Sequence, residues 1–149
     1  MIAGPVNTKF DIKDWFSELS ALASDAEYFR SDPDATWNVP AVNTYCGDNI
    51  VLHVRGDQNN CHRIHYSGEA CHLCRASTVV LCREMHDAPW ADFEQLQGQL
   101  DAALSADVEV AFPAQLEIFS SVRKYPVRQQ CVRLPWAALL EARKRGELA

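Results

Sequence analysis

The stretch Ile50-Val-Leu-His-Val-Arg55-Gly-Asp-Gln-Asn-Asn60-Cys-His-Arg-Ile-His-Tyr66 reads as two strands and a turn. Ile50, Leu52 and Val54 alternate with Val51, His53 and Arg55, which predicts a strand with one apolar and one wet face. Gly56 to Asn60 consists of turn formers. His62, Ile64 and Tyr66 then alternate with Arg63, His65 and Ser67 in a return strand, so the two runs form a hairpin. Thr36 to Val42 is a weaker strand candidate, because Asn38 and Pro40 interrupt its β-branched and aromatic residues. The expectation is a small antiparallel sheet of about three strands.

Helical spacing surrounds this sheet. Upstream, Ile12, Trp15, Phe16, Leu19, Leu22, Ala26 and Phe29 recur at steps of three and four, predicting an amphipathic helix of about five turns. Ser31-Asp-Pro-Asp34 ends it, since the residue before a proline avoids the helical region. Downstream, Gly68 to Ala70 breaks the second strand, and Cys71 to Met85 reads as a buried helix. Asp87-Ala-Pro-Trp90 opens another, with Phe93, Leu96, Leu100 and Leu104 at helical spacing. Pro113 starts a short one carrying Leu116 and Phe119. A last helix follows Pro126 toward Arg145, and Pro135 should bend or restart it. A small sheet packed against a helical block is an α+β pattern.

The chain has 149 residues, 48% hydrophobic and 23% charged, enough for one domain with a real core. No apolar run approaches the roughly 20 residues of a membrane span, and the N-terminus lacks a secretory pattern. Six cysteines without such a pattern favour reduced thiols and metal or redox chemistry in the cytoplasm. A net charge of -6 argues against nucleic acid as a partner. Seven of the 14 basic residues nevertheless lie between Arg123 and Arg145, against the single acid Glu141. That cluster is either a solvated helix face or a docking patch for an acidic protein.

Cys46, Cys71 and Cys131 each stand where a chain reversal or an element end is expected, so their thiols can converge. Asp48 lies two residues past the first. Three thiolates and one carboxylate make a four-ligand set for zinc or an iron–sulfur cluster. Cys71 at a helix start is favoured as a thiolate by the unpaired amides there. Cys71-His-Leu-Cys74 has the spacing of a zinc pair or a redox dithiol, so a thiol–disulfide module and a structural zinc domain stand as alternatives. Cys82, beside Val80 and Leu81, reads as a core residue, and Cys61, after a turn, as an incidental exposed thiol. His62, His65, His72 and His86 read as surface or supporting groups rather than ligands.

Three motifs carry a family resemblance. Asn43-Thr-Tyr-Cys46-Gly-Asp48 is similar to Asn-Pro-x-Cys-Gly-Asp. Tyr66-Ser-Gly68-Glu-Ala70-Cys71, followed by Ala76-Ser77, is similar to an aromatic residue and Gly-x-Gly-Cys opening a helix. Tyr125-Pro126-Val-Arg128-Gln-Gln-Cys131-Val-Arg-Leu134-Pro-Trp136 is similar to aromatic-Pro-x-Arg-x-Lys-Cys-x-x-Leu-x-Trp. Together they resemble the NifU/IscU-type scaffold proteins of iron–sulfur cluster assembly, most closely the SufU branch with its long interval before the last cysteine. The chain departs from the pattern in lacking the N-terminal His-x-x-x-Pro-x-Asn-x-Gly segment. It also has Ala70 for a glycine, Cys74 for the usual Ser, Gln130 before Cys131, and no Leu-Pro-Pro-Val-Lys stretch, which marks a divergent member.

The resemblance implies a SufE/NifU-like α+β fold over 1–149, with a helical region at 1–35 and a scaffold-like region at 36–149. It implies Cys46, Asp48, Cys71 and Cys131 as ligands of a zinc ion or a [2Fe–2S] cluster, with Cys74 as a substitute. Cys46 becomes the persulfide acceptor. A cysteine desulfurase and iron–sulfur recipient apoproteins become the partners. The implied role is scaffold or sulfur carrier rather than classical enzyme.

Overall fold

The computed structural model describes residues 12–105 and 110–146. Four antiparallel strands lie side by side in chain order: β1 (Trp37–Asn43), β2 (Asp48–Gly56), β3 (Asn60–Glu69) and the two-residue β4 (Ala88–Pro89). The α+β class stands as expected, with β4 as the strand that the pattern did not reveal. Two residues are too few to show an alternation. The β2–β3 register pairs Leu52 with Tyr66 and Val54 with Ile64, and a shift at Arg55/Gly56 brings Gly56 opposite Cys61. Val39, Ala41, Ile50, Leu52, Val54, Ile64 and Tyr66 are all buried. Two features of this hairpin differ from the sequence expectation. Cys61 is buried rather than exposed, because β4 pairs alongside it at Ala88. The strand continues through Gly68 to Glu69. Gly68 has φ +110°, and a Cβ there would sit 2.2 Å from the Asn49 carbonyl oxygen, so only glycine permits this approach.

The face expected to be wet is partly covered. His53 is buried, with its ring nitrogens 2.7 Å from Asn38 Oδ1 and 2.8 Å from Ser67 Oγ. His65 is buried as well, with Nδ1 3.7 Å from Asp32 Oδ2. Arg55 binds both Asp32 oxygens at 2.6 Å.

Helix α1 (Ile12–Ala23) is shorter than its apolar spacing predicts. Asp25 Oδ1 accepts the Glu27 N–H at 2.9 Å, a local bond that competes with helical continuation. Ala26 therefore lies outside the helix, and Phe29 makes an isolated bridge beside Tyr66, whose N–H donates to the Tyr28 carbonyl at 2.8 Å.

Helix α2 (His72–Glu84) is the centre of the molecule, with an unbroken buried run from Ala76 to Cys82. It is followed by α3 (Trp90–Ser105), a 3-10 helix (Ala114–Val122) and α4 (Pro126–Lys144). Pro126 supplies a preset φ at the start of α4. Pro135 lies inside α4 without dividing it, although it deprives the Cys131 carbonyl of its helical donor. The two helices are tied by Ser77, whose Oγ donates to the Val132 carbonyl at 2.6 Å and accepts from Trp136 Nε1 at 3.0 Å. Trp136 stacks on Phe93 of α3, with ring centroids 6.0 Å apart. Among the described residues, no helix is long and apolar enough to cross a membrane.

Candidate metal centre

Asn43 and Asp48 face each other as the last paired residues of β1 and β2, leaving Thr44 to Gly47 as a four-residue loop. Gly47 has φ +73°, a left-handed turn that disfavours a side chain, and it swings the chain back into β2. Cys46 is thereby held at an exposed loop tip while Asp48 enters the interior with 0% exposure. Cys71 caps α2, and its N–H donates to Asp48 Oδ1 at 2.8 Å. Cys131, in the second turn of α4, is 3% exposed.

Segments remote in sequence meet here. Ligand atoms of Cys46, Asp48 and Cys131 lie within 4.8 Å of one another. The Sγ atoms of Cys46 and Cys131 are 3.0 Å apart. Cys71 Sγ lies 4.0 Å from Asp48 Oδ2, beside this tightest group of three. A tetrahedral zinc with sulfur bonds of about 2.3 Å spaces its sulfurs by about 3.8 Å, so small side-chain adjustments accommodate an ion. The donor set therefore fits a metal chemically as well as geometrically. A carboxylate among thiolates gives a site less tightly closed than four sulfurs would.

Burial pushes the Cys131 thiol's pKa well up, and its hydrogen bond with the Cys46 thiol and the nearby Cys71 add to this. The Cys131 thiol therefore resists ionisation until a cation compensates it. Cys74 is also fully buried; burial raises its pKa, and Asp48 and Cys71 raise it further. It is not among the group of three. Cys82 is a core residue as expected, and burial pushes Cys61 up to about 12.

Two features were not assigned from sequence. Asn43 Nδ2 donates to Cys131 Sγ at 3.9 Å across 88 positions, although the residue stood within a quoted motif. A cavity of about 480 Å³ opens beside the thiols, walled by Leu73, Tyr125 and Val127 with Lys124 and Arg128 at its edge. Tyr125 and Val127 are exposed there. The basic cluster thus divides. Arg133 pairs with Asp101 and Arg143 with Glu94, whereas Lys124 and Arg128 line the cavity.

The chain is 33% identical over 121 residues to the iron–sulfur cluster assembly scaffold protein IscU of Streptococcus pyogenes serotype M1, covering 76% of this chain and 72% of that protein. The chain belongs to the NifU/IscU-type iron–sulfur cluster assembly scaffold family. A second relative of this scaffold family, IscU of Thermotoga maritima, is 24% identical over 132 residues, covering 87% of this chain and 93% of the relative. The fold of a NifU-like protein (N-terminal) from Brucella abortus matches this scaffold-family chain with a TM-score of 0.80 at 18% identity, over 93% of this chain and 99% of that one. A putative scaffold protein for the SUF system from Fervidobacterium islandicum AW-1 matches with a TM-score of 0.74 at 18% identity, over 81% and 90% of the two chains. No family model matches the chain.

Proposed function

We propose that this chain accepts sulfur from a cysteine desulfurase and serves as a scaffold for iron–sulfur cluster assembly. Cys46, Asp48, Cys71 and Cys131 are the ligands in this reading, and the bound group is a zinc ion or a [2Fe–2S] cluster. The observation that carries it is the meeting of Cys46, Asp48 and Cys131 within 4.8 Å in a member of this family. A cation held there would stabilise the Cys131 thiolate that burial otherwise disfavours.

Cys46 is the acceptor, being the exposed thiol of the set. Its thiolate attacks the terminal sulfur of a persulfide on the desulfurase cysteine. The donor's sulfur–sulfur bond breaks, a new one forms at Cys46, and the desulfurase cysteine leaves as a thiolate. The exchange is redox-neutral and needs no further reactant. When a metal is bound, Cys71 and Cys131 would hold it through sulfur and Asp48 would offer the harder oxygen donor. Lys124 and Arg128 at the cavity edge suit an acidic partner surface. Recipient apoproteins would draw on the same open side.

A closed structural zinc site fits less well, because Cys46 is exposed and a cavity opens onto the thiols. A redox dithiol of Cys71 and Cys74 fits less well too, because Cys74 is fully buried and holds its proton tightly. All six cysteines are free thiols, which suits the reducing cytoplasm.

The test is to incubate the protein with a cysteine desulfurase and free cysteine, then map added sulfur by mass spectrometry. One extra sulfur atom on Cys46, absent in Cys46→Ser, is the expected result. Equal labelling of the wild type and Cys46→Ser would refute the acceptor role.

A further inference from the structure

The side chain of Asn43 touches two ligand-bearing segments at once. Its Oδ1 accepts the Tyr45 N–H at 3.1 Å, which folds the loop carrying Cys46. Its Nδ2 donates to Cys131 Sγ at 3.9 Å. The first bond fixes the second. A backbone N–H can meet only the oxygen of the amide, so the amide's donor side turns toward the sulfur. Asn43 is 8% exposed and pairs in register with Asp48, so the strand ladder holds its backbone in place.

We propose that Asn43 is a positioning residue of the metal centre, which sets the Cys46 loop and tunes the Cys131 thiolate through an N–H donor to sulfur. The proposal rests on the metal reading above. A donor to a ligating sulfur withdraws electron density from it, and such outer contacts orient ligands and tune the bound metal. No other amide in the Asn43-to-Asp48 loop combines these two bonds among the described residues.

Asn43→Asp separates the two tasks. It keeps an oxygen for the Tyr45 N–H and removes the donor to sulfur; Asn43→Ala removes both. Each protein is loaded with Co²⁺, the thiolate-to-cobalt charge-transfer band is recorded, and zinc affinity is measured against a chelator. Far-UV circular dichroism of the metal-free proteins reports folding. In both variants the band is expected at lower energy than in the wild type, with zinc affinity falling by about 10- to 100-fold. An Asn43→Asp protein that keeps the wild-type band and affinity to within about twofold overturns the donor role, even if Asn43→Ala is impaired. If Asn43→Asp does not fold, a folded Asn43→Ala protein that keeps the wild-type band and affinity overturns both roles of Asn43. A wild type that takes up neither Co²⁺ nor Zn²⁺ overturns the metal reading itself, a separate result from the loss of tuning alone.

Discussion

The Asp48 carboxylate accepts the N–H of Cys71 at 2.8 Å, so one candidate ligand also caps the helix that begins with another. Asp48 stands 23 positions before Cys71 and is wholly buried at the end of the β1–β2 hairpin. Its Oδ1 is occupied by the amide, and Oδ2 lies toward the Cys71 sulfur. The carboxylate thus joins the sheet to the central helix before any metal arrives.

Replacing Asp48 tests this dual role. Asp48→Ala removes the acceptor and is expected to cost about 0.5–2 kcal/mol in the metal-free protein, the usual range for a lost N-terminal cap. Asp48→Asn retains an oxygen for the amide and is expected to cost less. Urea unfolding of the metal-free proteins checks the order. Equal loss in both variants would show that the carboxylate's charge, rather than its hydrogen bond, is what stabilises the helix start.

Ser77 is expected to matter out of proportion to its size. Its hydroxyl joins α2 to the α4 backbone at Val132 and receives the Trp136 N–H, and both indole and hydroxyl are buried. Ser77→Ala leaves that N–H without its partner, at a cost of about 1–3 kcal/mol. Because Val132 adjoins Cys131, zinc affinity should fall as well. Urea unfolding and a chelator competition measure the two effects. A variant with wild-type stability would mean that the indole finds another acceptor.

Acid sensitivity should trace in part to Asp32. Arg55 beside it, outweighing the cost of burial, lowers the carboxyl from 3.8 to about 2. A depressed carboxyl stabilises the fold above its ordinary value, and this contribution is lost as pH falls through the folded one. The loss therefore spans roughly pH 4 to pH 2. Asp32→Asn is expected to be less stable at neutral pH and to show a shallower stability decline in that window. Urea midpoints from pH 5 to pH 2 provide the measurement, and parallel curves would exclude Asp32 as the source.

The parts of the fold carried by local periodicity were legible in the sequence. Ile50, Leu52 and Val54 marked β2, and the run from Cys71 to Met85 matched α2 with one residue trimmed from each end. Segments governed by distant partners were not. Cys61 looked exposed after its turn because the two-residue strand that covers it, Ala88–Pro89, has no pattern of its own. His65 looked peripheral because Asp32, which faces it, lies 33 positions upstream in a loop. Ala26 and Phe29 continued a helical spacing that a side chain at Asp25 cuts short. At the candidate site, residue types and turn positions pointed to Cys46, Asp48, Cys71 and Cys131. The amide of Asn43 reaching Cys131 is a product of the tertiary fold and left no periodic trace.

Metal stoichiometry in the wild type and in Cys131→Ser is the most direct test that these four side chains share one centre. Purified protein loaded with Zn²⁺ or reconstituted with iron and sulfide is analysed by elemental analysis against protein concentration. The expected outcome is one zinc ion or one [2Fe–2S] cluster per wild-type chain and marked loss of either in Cys131→Ser, with the variant still folded by circular dichroism. An unchanged content in folded Cys131→Ser would contradict the shared site.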